Sequence, residues 1–200
     1  MAAAGAVFAK AGYDAGSVRA ISRRARVNVA SLNYYFGSKE ALYREVLLAE
    51  HRKALQQEKP VILKQGQPPR EALGNWIAFC LRFVLLKRAS HPVLGKLMTH
   101  EMRQPTAALS ELVKLVVRPI FEELRRIVAA TASSSMDKAE IEMRAHHIVG
   151  MCVYYEHNAE VIKRLGLSVP TTEDAIARLA QNITEMALHG ICGTQADTKP

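Results

Sequence analysis

The sequence predicts an all-α protein, and three observations carry that reading. Helix formers (Ala, Leu, Glu, Arg, Lys) dominate its 200 residues, 49% of which are hydrophobic, enough for a full core. β-Branched residues do not cluster with period two, so no strand pattern competes. Apolar residues instead recur at spacings of three and four, most clearly at Leu109, Leu112, Val113, Val116, Val117, Ile120, Phe121, Leu124, Ile127 and Val128.

The elements follow in order. Ala2 to Ala11 reads as a helix with Val7 and Phe8 inward, stopped by Gly12 in the left-handed conformation common at helix ends. Ser17 caps a second helix running to about Ala25. Arg26-Val27-Asn28 is a turn, and Val29 to Phe36 a third helix. Gly37 breaks it, and Ser38 caps a fourth helix from Lys39 to about Gln57. Lys64 to Pro69 is the clearest linker. The fifth helix runs from Pro69 or Arg70 to about Ala89. It is apolar almost all round (Leu73, Trp76, Ile77, Phe79, Leu81, Val84), which predicts burial on most sides.

Ser90-His91-Pro92 starts a sixth helix ending near Arg103. Pro105 suits the first position of the seventh. That helix is expected to run unbroken past Val128, kinked where Pro119 removes a backbone hydrogen bond. Ser133-Ser134-Ser135 is a loop. An eighth helix spans about Asp137 to Leu165 and is ended by Gly166. Thr171 with Asp174 resembles a capping box for a ninth, which Gly190 closes. Residues 191–200 are expected to be a flexible tail.

Composition excludes several classes. No apolar run reaches the roughly 18 residues that span a bilayer. The first dozen residues lack a basic leader and a cleavage site, so no secretory signal is expected. Cys80, Cys152 and Cys192 are far apart with no CxxC pair, which points to a reducing cytoplasm and not to a disulfide framework or a metal site. A di-iron bundle needs Glu-x-x-His pairs, and the chain has none; Glu142 with His146 is spaced by four and stands alone. Ser-x-x-Lys, HExxH and Gly-rich phosphate loops are missing too, so no enzyme, catalytic residue or cofactor is expected.

The net charge of +8 is uneven. Residues 1–39 hold six Lys and Arg (Lys10, Arg19, Arg23, Arg24, Arg26, Lys39) against Asp14 alone, a balance of +5. That predicts a polyanion partner for this end. Within it, Val18, Ile21, Ala25, Val29, Leu32 and Phe36 can hold two helices in a corner, while the intervening residues are polar: a helix-turn-helix pattern over 16–35.

DNA demands phosphate neutralisation for affinity and base-edge contacts for specificity. Arg19, Arg24, Arg26 and Lys39 suit the first, with the helix starts at Ser17 and Ser38 and neighbouring Val18. The third helix would enter the major groove and offer Asn28, Val29, Ala30, Ser31 and Asn33 to base edges. Asn33 can pair bidentately with adenine. Tyr34 and Tyr35 suit phosphate or sugar, although each also reads as a core residue, and Phe36 reads as core outright.

The run Phe8-Ala-Lys-Ala-Gly-Tyr13-Asp-Ala-Gly-Ser17-Val-Arg19, then Ile21, Ala25, Val27 and Leu32-Asn-Tyr-Tyr-Phe-Gly-Ser-Lys39-Glu-Ala-Leu42-Tyr43, closely resembles the DNA-binding domain of TetR-family transcriptional regulators. Leu97-Met98, His100-Glu101-Met102, Pro105-Thr106, Arg118-Pro119 and Tyr154-Tyr155-x-His157 are similar to the C-terminal domain of its CecR-like subgroup. The sequence departs from the family's pattern in three places. Met1 falls inside the first helix, Arg26 stands where the turn commonly has Gly, and Asn33 and Tyr35 stand where many members carry Tyr and His.

The resemblance implies a TetR-like, three-helix DNA-binding domain over 1–47 and a C-terminal ligand-binding and dimerisation bundle over 48–190. It implies a cytoplasmic homodimer, paired through helices 137–165 and 171–189 with Ala145, Gly150 and Ala159 easing their approach. Such a dimer binds a palindromic double-stranded operator, in most cases as a repressor, and is released by a small-molecule effector. Candidate effector residues by type are Trp76, Phe83, His100, Glu101, Arg118, Phe121, His147, Met151, Tyr154 and Tyr155. Trp76, Phe83 and Phe121, at helical spacing, read first as core, and His100-Glu101 beside Arg118 equally as a buried ion pair. The alternative reading is a dimeric helical DNA-binding or interaction protein with no effector.

Overall fold

The computed structural model describes residues 1–132 and 136–192, leaving aside the side chains of 87–89 and 192. The serine loop 133–135 and most of the expected tail, 193–200, lie outside the described residues. The described residues are helical, with no strand. None of their helices is long and apolar enough to cross a membrane. The chain divides into two compact units, Met1–Gln57 with Lys87–Arg118, and Glu58–Leu86 with Pro119–Pro200.

The first unit holds helices α1 (Ala2–Ala15), α2 (Val18–Ala25), α3 (Val29–Phe36), α4 (Lys39–Gln57), α6 (Pro92–Arg103) and α7 (Ala107–Leu112). Its core gathers Phe8, Ile21, Leu42, Tyr43, Val46, Leu47, Leu97 and Leu112. Each large side chain fully buried there contributes about 1.5–3 kcal/mol. Phe8 meets Tyr43 edge-on at 4.9 Å between ring centroids.

α1 continues beyond its expected stop. Gly12 has φ 75° and ψ −177°, so the helix kinks there and resumes to Ala15. Only glycine visits that backbone region readily. A Cβ at this position would lie 3.1 Å from Nδ1 of His100.

The second unit packs α8 (Arg118–Thr131), α9 (Lys138–His157), α10 (Ala159–Arg164) and α11 (Glu173–Cys192) with most of α5 (Pro69–Ser90). Leu73, Trp76, Ile77, Leu81, Leu124, Ile127, Ile148 and Ile183 lie in its core. From Ala72 to Leu86 every residue of α5 except Asn75 is buried or half-buried, as its all-round apolar pattern requires.

Several local expectations need correction. Pro105 is not the first residue of α7: Thr106 caps that helix by accepting from the Ala108 N–H, and Ala107 leads it. The long periodic stretch is not one helix but α7, a π-helical turn over Val113–Val117 and α8, the wide turn coming just before Pro119. The proline has no N–H for the carbonyl four residues back, so the ladder loosens there. The eighth predicted helix breaks at Asn158, whose backbone N–H and side-chain amide both donate to the Tyr154 carbonyl and close one helix before α10 begins.

At α11 the cap is Thr172, accepting from the Ala175 N–H, and not Thr171; the helix runs past Gly190 to Cys192. The capping box that does form is Asp137 with Glu140, at the start of α9.

Candidate nucleic-acid interface

α2 and α3 form the expected pair with a three-residue turn between them. Ser17 Oγ accepts from the Ala20 N–H at 3.0 Å, and Asn28 Oδ1 accepts from the Ala30 N–H at 2.9 Å. Each cap satisfies one orphan donor of its helix. Arg26 closes α2 at φ 55° and ψ 42°, the one positive-φ residue other than glycine among those described. Ser22 is buried and donates its hydroxyl to the Val27 carbonyl at 2.5 Å, tying the turn back onto α2. Sequence reasoning missed Ser22, because a serine inside a basic helix looks like one more solvent-facing polar residue.

Of the six apolar residues expected in the corner, only Ile21 is fully buried. Leu32 and Phe36 pack half-buried against the core, and no residue of α3 is fully buried. α3 is thus held by few contacts, leaving most of its surface to solvent.

That surface carries the predicted readers. Ser17, Arg19, Arg24, Arg26, Asn28, Ala30 and Asn33 are exposed, while Val18, Val29 and Ser31 are half-buried. Tyr34 is 85% exposed and Tyr35 77%, with their rings edge-on at 5.4 Å. Two bare aromatic rings side by side exclude the core reading for both. Arg23, which the candidate set leaves out, is exposed on the same helix as Arg19 and Arg24.

Two candidates are engaged elsewhere. Asn28 uses its side-chain oxygen as the cap, so only its amide N–H groups remain for a base or phosphate. Lys39 donates to the Asp14 carbonyl at 2.9 Å and lies 4.6 Å over the Tyr13 ring, fastening α4 to the end of α1.

The effector candidates are divided between the two units. In the first unit His100 Nε2 lies 3.3 Å from the Ala9 carbonyl. Glu101 is completely buried and accepts from the Tyr43 hydroxyl at 2.7 Å, the Thr106 N–H at 3.1 Å and the Thr106 hydroxyl at 2.9 Å. Three donors to one carboxylate satisfy a charge that burial would otherwise penalise heavily. Burial, together with the hydrogen bond to Glu101 and its charge, pushes the Tyr43 phenol above its ordinary range. Arg118 is exposed, and the alternative of a buried ion pair with Glu101 is not realised. His100 and Glu101 instead line a cleft of about 670 Å³ with Tyr13, Asp14, Glu40 and Arg103.

In the second unit Trp76 is buried, and Phe121, Met151 and Tyr155 pack against the same cluster. The Phe79 ring lies 6.3 Å from Trp76 and 6.0 Å from Phe83. The buried indole N–H of Trp76 has no hydrogen-bond partner. His147 and Tyr154 are exposed on α9. Ala145, expected at a helix–helix approach between subunits, is fully buried inside its own unit, while Gly150 is open to solvent.

Comparison with known proteins completes the assignment. The model of the C-terminal domain of the transcriptional dual regulator CecR matches residues 69–191, and that of the TetR family of bacterial regulatory proteins matches residues 1–46. The chain belongs to the TetR family. Its C-terminal domain is of the CecR type.

The dual regulator CecR of Shigella flexneri is 29% identical to this TetR-family chain over 170 residues, 81% of the chain and 76% of that protein. The transcriptional repressor NicS of Pseudomonas putida is 26% identical over 189 residues, 92% and 87%. Among solved structures, the flavonoid-responsive regulator FrrA superposes with a TM-score of 0.69 at 22% identity, covering 96% of this chain and 95% of that one. A TetR-like regulator from Rhodococcus sp. RHA1 gives 0.64 at 23%, covering 94% and 93%. These relatives are transcriptional regulators and not enzymes. The TetR-family chain is a DNA-binding regulator.

Proposed function

We propose that this regulator works as a homodimer, places one α3 in each of two successive major grooves of a palindromic operator, and acts as a repressor released by a small molecule bound in the C-terminal domain. The observation that carries the DNA-reading part is the bare outer surface of α2 and α3. It combines arginines, an amide and two tyrosines with no competing partner in the fold. Phosphate contacts fall to Arg19, Arg23, Arg24 and Arg26, and base contacts to Ala30, Ser31 and Asn33, with Tyr34 and Tyr35 against the backbone.

Pairing is supported by apolar residues left outside on the last helices. Met143 and Tyr154 on α9, Val161 on α10 and Met186 on α11 are 46%, 46%, 51% and 65% exposed. One helix-turn-helix reads few base pairs, so a dimer supplies the length that specificity needs. Repression is supported by the likeness to NicS, a transcriptional repressor, while CecR is a dual regulator. The effector reading rests on Trp76, whose buried N–H has no hydrogen-bond partner, in a core that Phe121, Met151 and Tyr155 also pack against.

The test is selection of bound sequences from a random duplex pool, followed by titration of the selected and scrambled duplexes at 50–200 mM salt. The selected duplex is expected to hold two half-sites about 10 base pairs apart and to bind about 10³-fold tighter than the scrambled one. Both affinities should fall steeply with salt, since phosphate contacts are common to both. Equal affinity for the two duplexes would overturn the reading.

A further inference from the structure

The cleft that His100 and Glu101 line belongs wholly to the first unit, whereas Trp76 belongs to the second. The last turn of α1, the start of α4, the end of α6 and the loop into α7 enclose it. At about 670 Å³ it has the size of a small-molecule site. Tyr43 and the completely buried Glu101 are already locked to each other, and Glu101 to Thr106, so this part of the lining is preformed. None of the residues proposed to read DNA lines it.

The charge of the cleft runs against this end of the chain. Residues 1–39 carry a balance of +5, yet the lining holds three carboxylates, Asp14, Glu40 and Glu101, against one guanidinium, Arg103. Counting also Lys39, which sits on Asp14 and Tyr13, three negative charges face two positive ones. Two helix ends (α1, α6) and two helix starts (α4, α7) border the space, so their dipoles largely offset and the side chains decide. The Asp14 carboxylate takes the neutral amide of Gln104 at 2.6 Å, and the Glu40 side chain has no hydrogen bond or ion pair to another described residue. The ring nitrogen of His100 is spent on the Ala9 carbonyl.

One ammonium is already seated at this cleft. Lys39 Nζ donates to the Asp14 carbonyl at 2.9 Å and stands 4.6 Å over the Tyr13 ring. A carbonyl and an aromatic face are what a ligand ammonium also needs, and the Asp14 and Glu40 carboxylates add charge-assisted acceptors. A bare metal ion does not suit, because no three His, Cys, Asp or Glu side chains among the described residues could hold one. We propose that the cleft binds a small organic cation with several N–H donors, of the aliphatic diamine or triamine class, whose ammonium groups pair with Asp14 and Glu40. Bound there, the cation touches α1 and α4 as well as α6, and holds these elements together. The site depends neither on an effector at Trp76 nor on a particular operator.

The test is calorimetric titration of spermidine into the full chain at fixed ionic strength, without DNA, since a polyamine condenses on the duplex itself. The net charge of +8 works against any general attraction for a trication. One spermidine per chain should bind with a dissociation constant below about 1 mM and raise the melting temperature by a few degrees at saturation. Asp14→Asn keeps an acceptor for Gln104, and Glu40→Gln keeps the side-chain length; both positions are exposed, so neither change disturbs the core. Each should weaken spermidine about three- to tenfold, and the two together should abolish binding. Glu142→Gln, exposed on α9, removes the same charge in the second unit and should leave the affinity unchanged. Amide resonances of Gly12, Glu40 and Gln104 should shift on binding. The site is overturned by the absence of heat and stabilisation at roughly 5 mM spermidine, by a double variant that binds as well as wild type, by equal stabilisation from magnesium at matched ionic strength, or by resonance shifts centred on α9 or α11.

Discussion

At the residue scale, the decisive distinction is between side chains that read and side chains that hold. Arg24 and Asn33 are both exposed and polar, but the proposed function gives the guanidinium on α2 to phosphate and the amide on α3 to a base edge. Asn33→Ala should cost about 1–3 kcal/mol, confined to one base pair per half-site of the selected duplex. Arg24→Ala should weaken all duplexes about equally and lower the salt slope by about one. Titration of both variants on matched and mismatched duplexes checks this, and identical behaviour would refute the division of roles. Tyr43 is a holder. Its phenol donates to the buried Glu101, so Tyr43→Phe should destabilise the protein at neutral pH by about 1–3 kcal/mol. The pH dependence has a definite sign. The folded phenol titrates above the ordinary value near 10. Its contribution is therefore complete below pH 10 and drains away as pH rises past it, by at most about 1.4 kcal/mol per pH unit. Urea midpoints at pH 7 and 10.5 should show the gap between wild type and Tyr43→Phe narrowing. A constant gap would mean that the phenol carries no such linkage.

At the element scale, helix existence was legible where turn residues and periodicity agreed, and less so where tertiary partners decided. The bounds of α2, α3 and α4 follow from Ser17, Asn28, Gly37 and Ser38, whose caps and turn act locally. The kink of α1 at Gly12 was not legible, because His100, almost ninety residues away, occupies the space that a Cβ would need. The seventh predicted helix looked continuous because periods of 3.6 and 4.4 residues differ little over one turn, so a π-turn hides within a good apolar stripe. The exposure of α2 and α3 agrees with the charge and motif pattern, but the contact of Lys39 with Asp14 and Tyr13 was not legible, since it joins residues of different elements. The α2–α3 turn offers a sharp prediction. Arg26 holds a left-handed conformation that an L-residue adopts at a cost of about 1 kcal/mol, and glycine does not bear that cost. Arg26→Gly should therefore raise the melting temperature by a few degrees, a gain of about 0.5–1 kcal/mol. The same change removes a cation from the DNA face and should lower duplex affinity severalfold for every sequence. A variant both less stable and fully DNA-competent would show that Arg26 serves the fold and not the interface.

At the scale of the whole molecule, the question is what covers the outer faces of α9 and α11. Ala145, Ile148 and Cys152 turn one side of α9 into its own core, while Ile176, Ala180, Ile183 and Ala187 do the same for α11. The opposite side of α9 keeps Met143 and Tyr154 in solvent, and α11 keeps Met186 there. Gly150 lies open on α9, with nothing within 4 Å of where a Cβ would be, which permits another helix to come close. A second copy of the same face satisfies both features, and two-fold symmetry places every substitution in the contact twice. Tyr154→Asp combined with Met186→Asp therefore introduces four buried charges per dimer while leaving each unit's core untouched. At micromolar concentration the wild type should sediment as a dimer and the double variant as a monomer of unchanged helicity by circular dichroism. Affinity for the selected palindrome should fall on the order of a hundredfold or more, because two linked heads become two independent ones. Affinity for a single half-site should change little, since α2 and α3 carry neither substitution. A wild type that sediments as a monomer, or a double variant that stays dimeric, would assign those apolar faces to something other than a second copy.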